Sequence, residues 1–69
     1  MANSVEKLFR ENLKKYRKAK KITQVRLAVL AELSENYVYE IECGRKIPSL
    51  KTIARLAETL GVEVKDLFS

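Results

Sequence analysis

The stretch "TQVRLAVLAELSENYVYEIECG", residues 23–44, decides the fold. Thr23 suits a helix N-cap, because its hydroxyl accepts one of the backbone N–H groups that a first turn leaves unpaired. Leu27, Ala28 and Ala31 follow at helical spacing as an inner stripe. Ser34 offers a second N-cap, and Val38 and Ile41 a second stripe. Gly44 fits the position just beyond a helix C-terminus. Only "ELS", residues 32–34, separates the two helices, and so short a joint forces a sharp angle between them.

Helical periods continue on both sides. Asn3 and Glu6 have the spacing of a capping box. Val5, Leu8, Phe9, Leu13 and Tyr16 then share one face of a first helix, opposite Lys7, Arg10, Lys14, Lys15 and Lys18. After Pro48, Ser49 caps a fourth helix with Leu50, Ile53, Ala54, Ala57 and Leu60 inward, and Gly61 ends it. Val62 to Phe68 make a short last turn or helix with Val64, Leu67 and Phe68 on its apolar side. No run alternates at period two, so the expectation is an all-α fold of five short helices in a single domain over residues 1–69.

The chain is basic, with 14 Lys and Arg against nine acids and a net charge of +5. That balance favours a polyanionic partner. Nine of the 14 bases lie in residues 1–31, whereas residues 32–44 hold four Glu and no base. Cys43 is the only cysteine and there is no histidine, so no intrachain disulfide and no Cys/His zinc site can form. We expect no cofactor, no metal and no small-molecule ligand. An enzyme is not expected either, because the sequence holds no nucleophile paired with a base and no phosphate-binding glycine loop. The longest apolar run, "LAVLA" at residues 27–31, falls far short of the ~20 residues that span a bilayer. With one cysteine and no secretory hydrophobic segment, the expected setting is the reducing cytoplasm.

The acidic block divides on a helical wheel. Taking ~100° per residue from Val38, Glu42 lies about 40° from the apolar stripe. A carboxylate there is partly buried and needs a cationic partner. Arg17, at the edge of the first helix's apolar stripe, is the candidate. Asn36, Glu40 and Cys43 face outward, flanked by Glu35 and Tyr39 on one side and Tyr37 on the other.

With "LKKYRKAKKITQ", "LAVLAELS", "YVYEIECGRKIPSL" and "IARLAETLGVEVKDLF" in view, the chain resembles the helix-turn-helix DNA-binding domains of phage Cro and repressor proteins and their bacterial relatives, the XRE-like family. The resemblance covers roughly residues 5 to 68. It implies the five-helix lambda-repressor-like fold, with the helix at 35–43 in the major groove of double-stranded DNA. It implies that Gln24 bonds a phosphate and that Arg17 and Glu42 form a partly buried ion pair. It further implies that Glu35, Asn36, Tyr39 and Glu40 read bases. Most members act as homodimers, often through the last helix, which points to Val64 and Phe68. Glu32 stands where the family usually has glycine, so a residue with a side chain is expected at positive φ, at a cost on the order of 1 kcal/mol.

The chemistry of these positions fits that reading. Glu35 and Glu40 can accept hydrogen bonds from cytosine amino groups, and Asn36 suits adenine. As anions near phosphate, both Glu also weaken non-specific binding. Arg45 and Lys46, directly after the recognition helix, are phosphate contacts, as are Lys21 and Tyr37, although Tyr37 equally suits packing on the second helix. Val25, Val29 and Leu30 make an exposed apolar patch. The expected function is a sequence-specific transcriptional regulator that binds a palindromic operator as a homodimer. The alternative is a protein-interaction module, anti-repressor-like, reusing the scaffold.

Overall fold

The computed structural model describes residues 4–69. Four α-helices run in order: α1 (Ser4–Ala19), α2 (Gln24–Leu30), α3 (Tyr37–Glu42) and α4 (Leu50–Leu60). The expected fifth helix is a 3₁₀ helix, Val64–Phe68. Five residues are too few for a stable α-helix, and the tighter turn is common in such short pieces. A reciprocal capping box of Glu63 and Asp66 starts it. Asn3, the expected cap of α1, lies outside the described residues.

Thr23 and Ser49 act as N-caps: their side chains accept from Arg26 N at 3.0 Å and Thr52 N at 3.2 Å. The helix ends share one device. At Lys21, Glu32, Gly44 and Gly61 the backbone is left-handed, with φ of 59°, 61°, 86° and 73°. Around each, two N–H groups fold back on the last turn, as in Leu33 N to Ala28 O at 2.8 Å and Glu32 N to Val29 O at 3.1 Å. This is the Schellman arrangement, which satisfies carbonyls that a helix end would otherwise orphan. The two glycines adopt it without strain, whereas Lys21 and Glu32 carry the left-handed penalty of about 1–2 kcal/mol each.

Three sequence expectations need correction. The third helix starts at Tyr37, with Asn36 as N-cap making no side-chain capping bond. Glu35 and Asn36 form a turn closed by Tyr37 N to Ser34 O at 3.1 Å, so Ser34 ends the joint without capping the helix through its hydroxyl. On α4 the inner stripe is Leu56, Ala57 and Leu60, with Ile53 half-buried. Leu50 is 73% exposed, and Ala54 also faces out. Apolar residues at 50, 53, 54, 56, 57 and 60 leave the wheel two adjacent stripes, and packing selects the one containing Leu56. Val5, expected inward, is also exposed.

The core gathers Leu13, Leu27, Val38, Ile41, Leu56 and Leu67, one or two from each element, all fully buried. Asn12 is buried among them and donates from Nδ2 to Leu67 O at 3.0 Å and Ser69 O at 3.3 Å, fastening the C-terminal segment to α1. Every buried side-chain nitrogen and oxygen among the described residues has a partner.

Candidate nucleic-acid interface

Arg17 fixes α3 against α1. Its Nε donates to Glu42 Oε2 at 2.7 Å and its Nη2 to Glu42 Oε1 at 3.0 Å, a two-pronged pair whose side chains are 10% and 2% exposed. Its Nη1 donates to Ile22 O at 2.9 Å and so braces the loop before α2. Gln24, the first residue of α2, donates from Nε2 to Glu42 Oε1 at 2.9 Å. One carboxylate thus joins α1, α2 and α3 and sets the angle of α3. Bidentate Arg–carboxylate pairs are among the strongest and most directional polar contacts.

On the outer side, Glu35, Asn36 and Tyr39 are exposed next to one another at the start of α3 and on its solvent face. Glu40 is half-buried and engaged: Lys46 Nζ lies 3.5 Å from its Oε1. Its carbonyl accepts from Arg45 N at 2.8 Å and Lys46 N at 3.2 Å, so the turn after α3 folds back on it. The Arg45 guanidinium sits over the Tyr39 ring at 5.8 Å, and Lys46 Nζ lies 5.7 Å from the centre of the Tyr37 ring. The tyrosines hold these two cations beside the exposed face of α3, a cation–π arrangement. A wheel cannot show this, because it ends where the helix ends.

Lys21 is exposed in the αL turn before α2. Arg10 lies against Gly44, where an added Cβ would stand 3.4 Å from its guanidinium carbon. Lys14 lines a recess with Gln24, Tyr39, Glu42 and Cys43. Both α1 cations therefore flank α3. Sequence reasoning left them on a solvated face, although their spacing to Arg17, seven and three residues, was the available signal.

Val64 and Phe68 are half-buried against the chain's own core, and Phe68 stacks on Phe9 with ring centres 5.4 Å apart. The larger exposed apolar side chains are Ile47 and Leu50 at 70% and 73%, with Val25, Val29 and Leu30 exposed on α2. Among the described residues, no helix is long and apolar enough to cross a membrane.

A model of the helix-turn-helix family matches residues 13–67. The chain belongs to the helix-turn-helix family. This family consists of DNA-binding transcriptional regulators, and the match includes the whole of the α2–turn–α3 unit. The chain is 44% identical over 54 residues to the immunity repressor protein of Bacillus phage phi105, covering 78% of this chain and 38% of the repressor. It is 34% identical over 68 residues to the control protein C.BamHI of Bacillus amyloliquefaciens, covering 97% of this chain and 84% of that protein. Its helix-turn-helix fold superposes on the restriction-modification controller protein C.AhdI from Aeromonas hydrophila with a TM-score of 0.86 and 37% identity, covering 99% and 100% of the two chains. The chain thus spans well under half of the phage repressor and most or all of the two controller proteins.

Proposed function

We propose that this chain regulates transcription in the bacterial cytoplasm by binding a palindromic operator as a homodimer, with α3 of each copy in the major groove. The observation that carries the reading is the exposed row Glu35, Asn36 and Tyr39 with cations beside it: Lys14 shares a recess with Tyr39, the Arg45 guanidinium lies over the Tyr39 ring, and Lys46 pairs with Glu40. The cations supply affinity for phosphate, and the row beside them faces base edges. No catalytic step is involved. Half-sites about one helical turn, ~34 Å, apart suit a dimer of this motif.

The test is selection of bound sequences from random duplex DNA, followed by competition binding at several salt concentrations. Affinity for the selected sequence should fall steeply with salt as counterions are released. If no selected sequence outcompetes random duplex, the regulator reading fails and the interaction module gains. That second reading draws on the exposed Val25, Val29 and Leu30.

Glu40 gives a sharper measurement. In this reading its carboxylate leaves Lys46 to accept from a base, while Lys46 turns to a phosphate. Glu40→Gln should change the preferred base at one position in each half-site, with about 1–3 kcal/mol of discrimination at stake. Uniform strengthening across a panel of single-base variants would instead make Glu40 only a partner of Lys46 and a repeller of phosphate. Folding stability should move by no more than about 0.5 kcal/mol, because the residue lies outside the core.

The surface that best suits a second copy is an apolar groove lined by Val5, Phe9, Ile47, Pro48, Ile53 and Phe68. Leu50 projects beside it, one turn before Ile53 on α4. A knob next to a hole is what a two-fold interface requires, since each copy offers both. The rim carries Glu6 together with Arg10 and Lys46, so opposite charges can meet across the same axis. This centres the proposed contact on the start of α4, with Phe68 in the groove wall and Val64 outside the lining.

A further inference from the structure

We propose that the recess between α1 and α3, walled by Lys14, Gln24, Tyr39 and Cys43, seats one specific backbone phosphate of the bound duplex, with Lys14 as its charged ligand; the proposal rests on the DNA-binding reading above.

The clamp that fixes α3 also builds this recess. Arg17 is tied to Glu42, so Lys14, one turn earlier on α1, is carried to the same side of α3 as Tyr39 and Cys43. Arg10, a further turn away, reaches Gly44. The row thus tracks the C-terminal half of α3. Lys14 is exposed and takes part in neither of the two salt bridges found among the described residues. Lys15, its neighbour, turns instead to the Tyr16 ring at 5.1 Å. Lys14 therefore presents an uncommitted ammonium on the reading side.

The chemistry of the walls selects an anion. Gln24 uses one amide N–H on Glu42 and retains a second. Tyr39 offers a phenol, a neutral donor, whereas the Cys43 thiol already donates to Glu40 O at 3.5 Å and only walls the recess. The one carboxylate in the recess, Glu42, is already bonded twice by Arg17 and once by Gln24. Its charge is offset from behind, and it orients the Gln24 amide. Two neutral donors and one cation fit a singly charged phosphodiester oxygen pair better than a base edge, which presents donors and acceptors together.

The experiment uses the full chain and the operator obtained by selection. Lys14→Gln is compared with Lys65→Gln, which makes the same charge change on the 3₁₀ helix. Lys14→Gln should weaken binding to all sequences alike and, with one seat in each half-site, reduce the slope of log affinity against log salt by about 2 for the dimer on its operator, leaving the base ranking intact. Lys65→Gln should leave the slope nearly unchanged. Duplexes are then made with a single neutral methylphosphonate at each backbone position in turn. At one position per half-site, the methylphosphonate and Lys14→Gln should be non-additive, the second change costing little once the first is present. Full additivity at every position, or a slope change equal to that of Lys65→Gln, overturns the seat and leaves Lys14 as diffuse charge. Absence of duplex binding by the unsubstituted chain overturns the regulator reading and the seat together, a result distinct from additivity in a chain that binds.

Discussion

Arg17→Ala should cost about 3–5 kcal/mol of folding stability, the usual consequence of breaking a buried ion pair from one side. The Glu42 side chain is 2% exposed and loses two of its three hydrogen bonds, keeping only that from Gln24. Ile22 O loses its partner as well. A chain of 69 residues has roughly 3–10 kcal/mol of stability in all, so the substituted protein should be largely unfolded at the low end of that range. Urea unfolding followed by far-ultraviolet circular dichroism reads the loss. Replacing both residues with apolar ones, Arg17→Met with Glu42→Leu, should cost less than Arg17→Ala alone, because no charge is then left in the interior. An unchanged urea midpoint for Arg17→Ala would mean that Glu42 is solvated in the folded protein. The same double substitution should still weaken DNA binding, since the pair also sets the tilt of α3.

What the sequence discloses and what it hides follow from the range of each interaction. Thr23 and Ser49 are legible as caps, because a cap is a contact within three residues. Gly44 and Gly61 are legible as helix ends, because glycine marks a left-handed residue. Lys21 adopts the same conformation with no mark at all. The Arg17–Glu42 contact is legible because a carboxylate beside an apolar stripe must be compensated, and few cations border the facing stripe. The pairing of Glu40 with Lys46 is not, since it depends on how the chain turns after Gly44. The position of Lys14 and Arg10 beside α3 depends in turn on the Arg17 clamp, so it emerges only when α1 and α3 are placed together. The misplaced stripe on α4 has another cause. Leu50 continues the apolar period, and periodicity alone cannot separate a core residue from an exposed one.

That ambiguity at Leu50 leads to the prediction with the largest effect on binding. If the proposed dimer forms through the start of α4, Leu50→Asp should leave the chain monomeric in sedimentation equilibrium and lower affinity for the full palindrome by about 10²–10⁴-fold, the range contributed by linking two binding modules. Affinity for an isolated half-site should stay near that of the parent chain, because α3 and its cations are untouched. The residue is 73% exposed, so the fold of each monomer should hold, with stability changed by no more than about 0.5 kcal/mol. Val25→Asp places the same charge on the other exposed apolar patch and should change neither the mass nor the affinity. Phe68 stacks on Phe9 and walls the groove, so its loss should appear first as lower folding stability. The desolvation cost is incurred twice at a two-fold contact, since each copy carries an aspartate toward the apolar groove of the other. If Leu50→Asp remains dimeric while Val25→Asp dissociates, the two-fold contact lies on α2, and the start of α4 is merely exposed.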